Sequence, residues 1–154
     1  AAWSDEFRDF GNYVGLKILS MGSIFTKIIS GEIPCYKVAE DASNIAFLDI
    51  RPLKRGHVLC VPKLEVDELY ELPAEDFGRL MEFAQRVAKA LKQAVPCQRI
   101  GSMVLGMEVP HAHLHLVPID AENELSFSNT PLQLSAEEME GIRTSISDAL
   151  DSAG

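Results

Sequence analysis

Three histidines at alternate positions constrain this chain more than any other feature of its sequence. In the stretch G-M-E-V-P-H-A-H-L-H-L-V-P, single apolar residues separate His111, His113 and His115. A period of two is the repeat of a β-strand, on which successive side chains point to opposite faces of the sheet. We therefore predict a strand over residues 109–117. Its three imidazoles would share one face, about 7 Å from one to the next, with apolar side chains on the other face.

The segments around this strand predict an antiparallel sheet. Strand-like runs joined by short turns occur at residues 35–40, 45–50, 57–62 and 99–105. Between Pro73 and Val95 the apolar residues instead recur at intervals of three and four, which predicts one long helix. Strands in runs, interrupted by one long helix, favour an α+β fold with about five antiparallel strands over alternating βαβ units. The expected apolar stripe of the long helix is Phe77, Leu80, Met81, Ala84, Val87, Ala88 and Leu91.

Two further helices are predicted near the ends of this pattern. The run from Ser23 to Ile29 has apolar residues at helical spacing. Ser135 and Glu138 have the spacing of a capping box and precede a periodic apolar run, which indicates a C-terminal helix.

Length, charge and cysteine content restrict the class of protein. The 154 residues suit one domain, which we place at 21–154, with 1–20 as an N-terminal extension without the features of a secretory signal. The net charge is −9, whereas proteins that bind nucleic acids present a basic surface, so we do not expect this chain to bind nucleic acid. No apolar run approaches the roughly 18–20 residues that span a membrane. Three scattered cysteines predict small core residues in a reducing, cytoplasmic compartment and not disulfides: Cys35, Cys60 and Cys97.

A row of imidazoles has two chemical uses that the residues alone leave open. Two imidazoles of an H-x-H pair can bind Zn²⁺ with a third ligand from elsewhere, as in a zinc hydrolase or lyase. Alternatively, a neutral imidazole can attack phosphorus near neutral pH, while its neighbours donate hydrogen bonds to the phosphate oxygens. A purely structural role is disfavoured because adjacent imidazoles repel one another once they are protonated.

The segment H-A-H-L-H-L-V resembles the His-φ-His-φ-His-φ-φ pattern, with φ apolar, of the histidine triad (HIT) superfamily. The blocks that precede it are similar to those of Hint-like and bacterial HIT proteins and occur in the same order: S-I-F-T-K-I-I-S-G-E-I-P-C-Y-K-V, I-A-F-L-D-I and G-H-V-L-C-V-P-K. The resemblance extends from Ser23 to Ile119.

This resemblance implies an enzyme that hydrolyses or transfers a nucleotidyl group at the α-phosphate of a dinucleoside polyphosphate or nucleoside phosphoramidate. The covalent nucleotidyl-histidine would form on His113. By the same resemblance, His115 contacts phosphate oxygens, His111 supports the row and His57 lies near the phosphate or the leaving group. The implied protein is a homodimer that binds a small-molecule nucleotide and requires no cofactor or metal. A nucleotide-binding sensor with little turnover remains the other alternative.

The resemblance also implies a nucleotide pocket. Asp49 would hydrogen-bond the ribose, and the other pocket residues would be Phe25, Phe47, Leu48, Ile50, Gly106 and Glu108. Two features depart from the Hint branch. Glu108 replaces a serine that assists the leaving group there, and the segment I-D-A-E-N-E-L-S-F-S-N replaces a Trp-containing C-terminal ending. The leaving group is therefore not implied by the resemblance.

Overall fold

The computed structural model describes residues 22–153, so the predicted extension at 1–20 lies outside the described residues. Five strands form one antiparallel sheet in the order β1-β2-β3-β5-β4. The strands are β1 (Lys37–Glu40), β2 (Asn44–Leu48), β3 (Val58–Pro62), β4 (Arg99–Met103) and β5 (Leu114–Ile119). The helices within these residues are α1 (Ile24–Ile29), α2 (Ala74–Ala94) and α3 (Ala136–Ala153), with 3₁₀ turns at Leu69–Glu71 and Glu122–Glu124. The predicted α+β class is confirmed.

The long helix α2 covers one face of the sheet. Leu80, Val87 and Leu91 are fully buried there, against residues of β2, β3 and β5. The stripe predicted from the sequence is wrong at Met81, which is 41% exposed, whereas Phe83 is buried. A helix turns by 100° per residue, so Phe83, three positions after Leu80, returns to the buried side of α2. Met81, one position after Leu80, points to the side of the helix.

The C-terminal helix α3 begins at the predicted capping box. The Ser135 Oγ accepts a hydrogen bond from the Glu138 N–H at 3.1 Å, and the Glu138 carboxylate accepts one from the Ser135 N–H at 2.8 Å. Met139 and Ile146 then pack into the core shared with α2. No helix within residues 22–153 combines the length and the apolar composition required to cross a bilayer.

The histidine-bearing strand is shorter than predicted. It begins at Leu114, so His111 and His113 precede it in an irregular segment and only His115 lies in β5. Continuing the pairing of β3 with β5 would place Pro62 opposite Ala112. Proline has no N–H to donate to a ladder. The Ala112 N–H instead donates to the Val66 carbonyl at 2.7 Å, which draws the chain away from the sheet.

The opposite face of the sheet is covered by α1. Phe25 and Ile28 pack there against side chains of β2 and β3, among them Phe47 and Leu59. Ala112, Leu114 and Leu116 belong to the core on the α2 side, as the alternation predicted. The histidines therefore share the α1 side of the sheet, where the functional site is expected.

The cysteines within the described residues are free thiols. Cys60 is buried in β3 on the α2 side. Cys35 is partly buried and packs against the core on the α1 side, whereas Cys97 is partly exposed and belongs to no core cluster, so the prediction of a core residue is wrong for Cys97. Both lie outside the regular elements, Cys35 before β1 and Cys97 between α2 and β4, where the chain runs along the surface.

Candidate active site

Four buried imidazoles meet on the α1 side of the sheet. The ring centroids of His113 and His115 are 4.9 Å apart, and those of His57 and His115 are 5.2 Å apart. Burial lowers the pKa of His57 to about 4 and that of His115 to about 3. Burial also lowers the pKa values of His111 and His113. The row is therefore neutral at pH 7, which keeps ring lone pairs available.

The protonation of His113 is set by a backbone carbonyl. Its Nδ1 lies 2.7 Å from the carbonyl oxygen of His111. A carbonyl only accepts hydrogen bonds, so the proton of the neutral ring must be on Nδ1. The Nε2 atom then carries the lone pair and has no hydrogen bond to residues 22–153, although His113 keeps a small exposed surface. His113 thus presents an unengaged nucleophilic nitrogen.

Both ring nitrogens of His111 are hydrogen-bonded within the protein, and its backbone carbonyl accepts a hydrogen bond from His113. Its Nε2 donates to the Pro62 carbonyl at 2.7 Å, so Nδ1 has the lone pair and accepts from the Ser23 hydroxyl at 2.6 Å. The side chain is fully buried. Both ring nitrogens are engaged within the protein, so the ring orients its neighbour His113 and does not face a ligand.

His57 and His115 form a hydrogen-bonded pair, and a backbone N–H determines which ring is the donor. The Leu53 N–H donates to the Nδ1 of His57 at 3.0 Å, which places the His57 proton on Nε2. That N–H donates to the Nδ1 of His115 at 2.9 Å, so His115 carries its own proton on Nε2. The adjacent rings of His113 and His115, whose centroids are 4.9 Å apart, therefore carry a lone pair and an N–H donor respectively.

Asp49 lies just after β2, next to this pair. Its carboxylate accepts the Arg51 N–H at 2.8 Å, and its other oxygen is 3.6 Å from the Nε2 of His57. Burial raises the pKa of Asp49 to about 6, and the negative charge of Glu108 also raises it. Glu108 is exposed in the loop before His111, so the edge of the site carries two acidic groups.

The apolar residues expected in the nucleotide pocket do not all lie on the histidine side. Phe25 contacts Phe47 edge to face at 5.5 Å, and its ring centroid is 5.0 Å from that of His113. Leu48 instead packs into the core beneath α2, because adjacent residues of a strand face opposite sides of the sheet. The sheet separates it from the histidines, so we leave it out of the site. Ile50 is partly exposed after β2, and Gly106 has a φ of 74° in the loop before the histidines.

Two residues beside the histidines were missed in the sequence. The local sequence around Ser23 indicates only the first helix, of which it is the N-cap, and its contact with His111 spans 88 positions. Phe127 comes from the segment after β5, and its ring centroid is 5.0 Å from that of His115 and 6.3 Å from that of His57. A lone aromatic residue between serines was the only sequence signal for Phe127.

Comparisons with known proteins agree with this geometry. A family model described as the HIT domain matches residues 30–122. Adenosine 5'-monophosphoramidase HNT1 of Saccharomyces cerevisiae is 39% identical over 101 residues, which are 65% of this chain and 64% of that protein. The chain thus spans slightly less than two thirds of that relative's length.

Solved structures give the same result. A Hit-like protein from Bartonella henselae superimposes with a TM-score of 0.73 at 30% identity, over 84% of this chain and 98% of that one. A Zn-bound histidine triad family protein from Mycobacterium smegmatis superimposes with a TM-score of 0.70 at 31% identity, over 87% of this chain and 99% of that one. The family model, the relatives and the arrangement of the four imidazoles agree, and the chain belongs to the histidine triad (HIT) family.

Proposed function

We propose that this protein cleaves a nucleoside phosphate derivative at its α-phosphate through a covalent nucleotidyl-histidine on His113. The observation that carries the proposal is the hydrogen bond from the His113 Nδ1–H to the His111 carbonyl, because it leaves the Nε2 lone pair free beside an N–H donor. The name of the yeast relative, adenosine 5'-monophosphoramidase, supports an adenylate whose leaving group is bound through nitrogen.

The reaction has two balanced steps. The Nε2 lone pair of His113 forms a bond to phosphorus, and the bond from phosphorus to the leaving nitrogen breaks. The electron pair departs on that nitrogen, which takes up a proton from solvent, so that the group leaves as a neutral amine. The imidazolium that results keeps its Nδ1–H on the His111 carbonyl, which disperses the positive charge. Water then attacks phosphorus and releases a proton to solvent, the electron pair of the P–N bond returns to the His113 Nε2, and the neutral imidazole is restored.

The remaining residues supply binding and stabilisation. The Nε2–H of His115 donates to a non-bridging phosphate oxygen, where negative charge develops. The base packs beside Phe25, Phe47 and Ile50. The two phenyl rings are 3% and 4% exposed and lie behind the pocket, while Ile50 is partly exposed and offers the accessible apolar surface. Asp49 accepts from a ribose hydroxyl, and Glu108 and the loop at Gly106 border the phosphate. The proposed roles of Asp49 and Glu108 rest on the family resemblance and on their proximity to the imidazoles.

Zinc is the rival use of the same residues, and the Mycobacterium smegmatis relative is described as Zn-bound. Ligand atoms of Asp49, His57 and His115 lie within 4.8 Å of one another. His57 does not fit as a ligand, however. Its Nδ1 must accept the Leu53 N–H, so its Nε2 carries the proton and has no lone pair for a metal. Elemental analysis of untagged protein tests this: about one zinc per chain, lost in His57→Ala, would favour the rival.

Substitution of His113 tests the nucleophile and separates an enzyme from a sensor. We expect His113→Ala to abolish release of the reporter from a fluorogenic adenylate amidate, while calorimetry shows that it still binds adenosine 5'-monophosphate. A denaturing quench of the parent with radiolabelled substrate should trap the protein-bound nucleotide. Equal rates in parent and variant would refute the nucleophile, and a parent that binds without turnover would indicate a sensor.

The assembly and the compartment remain predictions. We propose a homodimer, because β4 is an edge strand of the sheet that residues 22–153 form, and among these residues its outer side is unpaired and available to a second copy. Sedimentation equilibrium at micromolar concentration tests the dimer, and a monomer would contradict it. The cytoplasmic location is tested by fractionating cells that express the protein.

A further inference from the structure

The segment from 120 to 135, here called the C-terminal strap, crosses the edge of the histidine row. Contacts with the rest of the protein hold this segment in place on both sides of Phe127. Before Phe127, the Glu124 carboxylate forms an ion pair with Lys54. After it, the Leu132 N–H donates to the Pro52 carbonyl at 2.8 Å. Both anchors lie in the loop that leads to His57, so the strap holds Phe127 at a defined place next to the site.

Phe127 completes a row of four rings. Centroid distances from Phe25 to His113, His113 to His115 and His115 to Phe127 are 5.0, 4.9 and 5.0 Å. Successive planes are inclined by 89°, 68° and 70°, which is the edge-to-face arrangement that aromatic rings favour. The two imidazoles that handle the phosphate are thus bounded by a phenyl ring at each end.

The two ends of the row differ in accessibility. Phe25 is 3% exposed beneath α1 and Phe127 is 46% exposed. Phosphorus must lie against the Nε2 of His113, with an oxygen on the N–H of His115. A substituent on phosphorus that extends past His115 therefore meets Phe127 next. At this end the substituent meets a side chain that is 46% exposed, whereas Phe25 at the other end is buried in the core.

We propose that the Phe127 side chain contacts the leaving group and determines specificity for it. The ring favours a planar aromatic leaving group, such as an aryl amine or a second nucleobase. The inference rests on the proposed function and extends it to the substrate's second half. An aromatic pair contributes about 0.5–1.5 kcal/mol beyond the area it buries. That range corresponds to a preference of roughly 2- to 13-fold for a planar over an aliphatic group of equal leaving ability.

The test uses three adenylate amidates with matched leaving-group pKa: an aryl amine, an aliphatic amine and an amine that carries a nucleobase. The readout is the ratio of kcat/KM for each planar substrate to that for the aliphatic one. We expect Phe127→Ala to lower this ratio about 5-fold, within the range above, and Phe127→Tyr to preserve it. Which of the two planar substrates loses more distinguishes an aryl amine from a nucleobase. Leu132→Ala is the matched control, since it removes an exposed apolar side chain from the same strap.

Two results would overturn the inference. An equal loss on planar and aliphatic substrates in Phe127→Ala would mean that the ring only shields His115 from water. A Phe127→Leu variant with the parent's ratio would mean that planarity is irrelevant. A parent without turnover would refute the proposed function instead. In that case, calorimetry with a non-cleavable aryl phosphonate of adenosine would still measure whether Phe127→Ala weakens binding of the aryl group relative to adenosine 5'-monophosphate.

Discussion

Replacing Ser23 with alanine would remove two hydrogen bonds at the point where α1 meets the histidines. The Ser23 Oγ accepts the Thr26 N–H at 3.1 Å, as an N-cap, and donates to the Nδ1 of His111 at 2.6 Å. Alanine can do neither. Thr26 lies near the surface, where water can replace its partner, but His111 is fully buried and its ring nitrogen would be left unpaired.

The two losses can be given magnitudes. Removing a serine N-cap costs about 1 kcal/mol, and leaving a buried acceptor unpaired costs about 1–3 kcal/mol. The free energy of unfolding should therefore fall by about 2–4 kcal/mol, a large part of the roughly 5–15 kcal/mol of a typical domain. Urea unfolding should show a lower midpoint with an unchanged slope.

Two controls isolate the contact with His111. Ser23→Thr keeps the hydroxyl and should lose much less stability than Ser23→Ala. Ser30→Ala removes an exposed hydroxyl at the other end of α1, which bonds to the Lys27 carbonyl, and should change stability by less than about 0.5 kcal/mol. A loss below about 1 kcal/mol in Ser23→Ala would refute the claim that Ser23 holds His111.

Three further predictions test the core, a turn and the buried charge states. Leu80→Ala should cost about 2–5 kcal/mol in urea unfolding because Leu80 is fully buried under α2, while Met81→Ala should cost less than about 1 kcal/mol; equal losses would contradict the packing. Gly56→Ala should destabilise more than Gly31→Ala in thermal unfolding. Both glycines have positive φ, but a Cβ at Gly56 would lie 2.9 Å from a side-chain carbon and one at Gly31 would contact nothing within 4 Å. Stability should fall as the pH drops from 6.5 towards 4, because burial lowers the pKa values of all four histidines and the unfolded chain then binds more protons. Asp49, with its pKa raised to about 6, acts in the opposite direction but is a single group; a constant urea midpoint between pH 7 and pH 5 would refute the expected sign.

Local periodicity accounts for what was predictable about the fold. Alternation identified the strands and the intervals of three and four identified α2, because both repeats are set by backbone geometry within a few residues. The capping box at Ser135 was recognisable for the same reason. The prediction that Leu48 lines the nucleotide pocket is an error that alternation could have corrected. A residue next to Phe47 on a strand must face the other side of the sheet.

The sequence by itself determined the number and order of the elements, the family and the shared side of the three histidines. The tertiary structure alone decided how each ring is protonated. The Leu53 N–H sets the proton of His57, which in turn sets that of His115. The Pro62 carbonyl and the Ser23 hydroxyl set the proton of His111, whose own carbonyl sets that of His113. Two of these partners come from distant parts of the chain, and so does Phe127 for His115. A hydrogen bond or a ring contact depends on distance in space, and no local repeat records which distant residues the fold brings together.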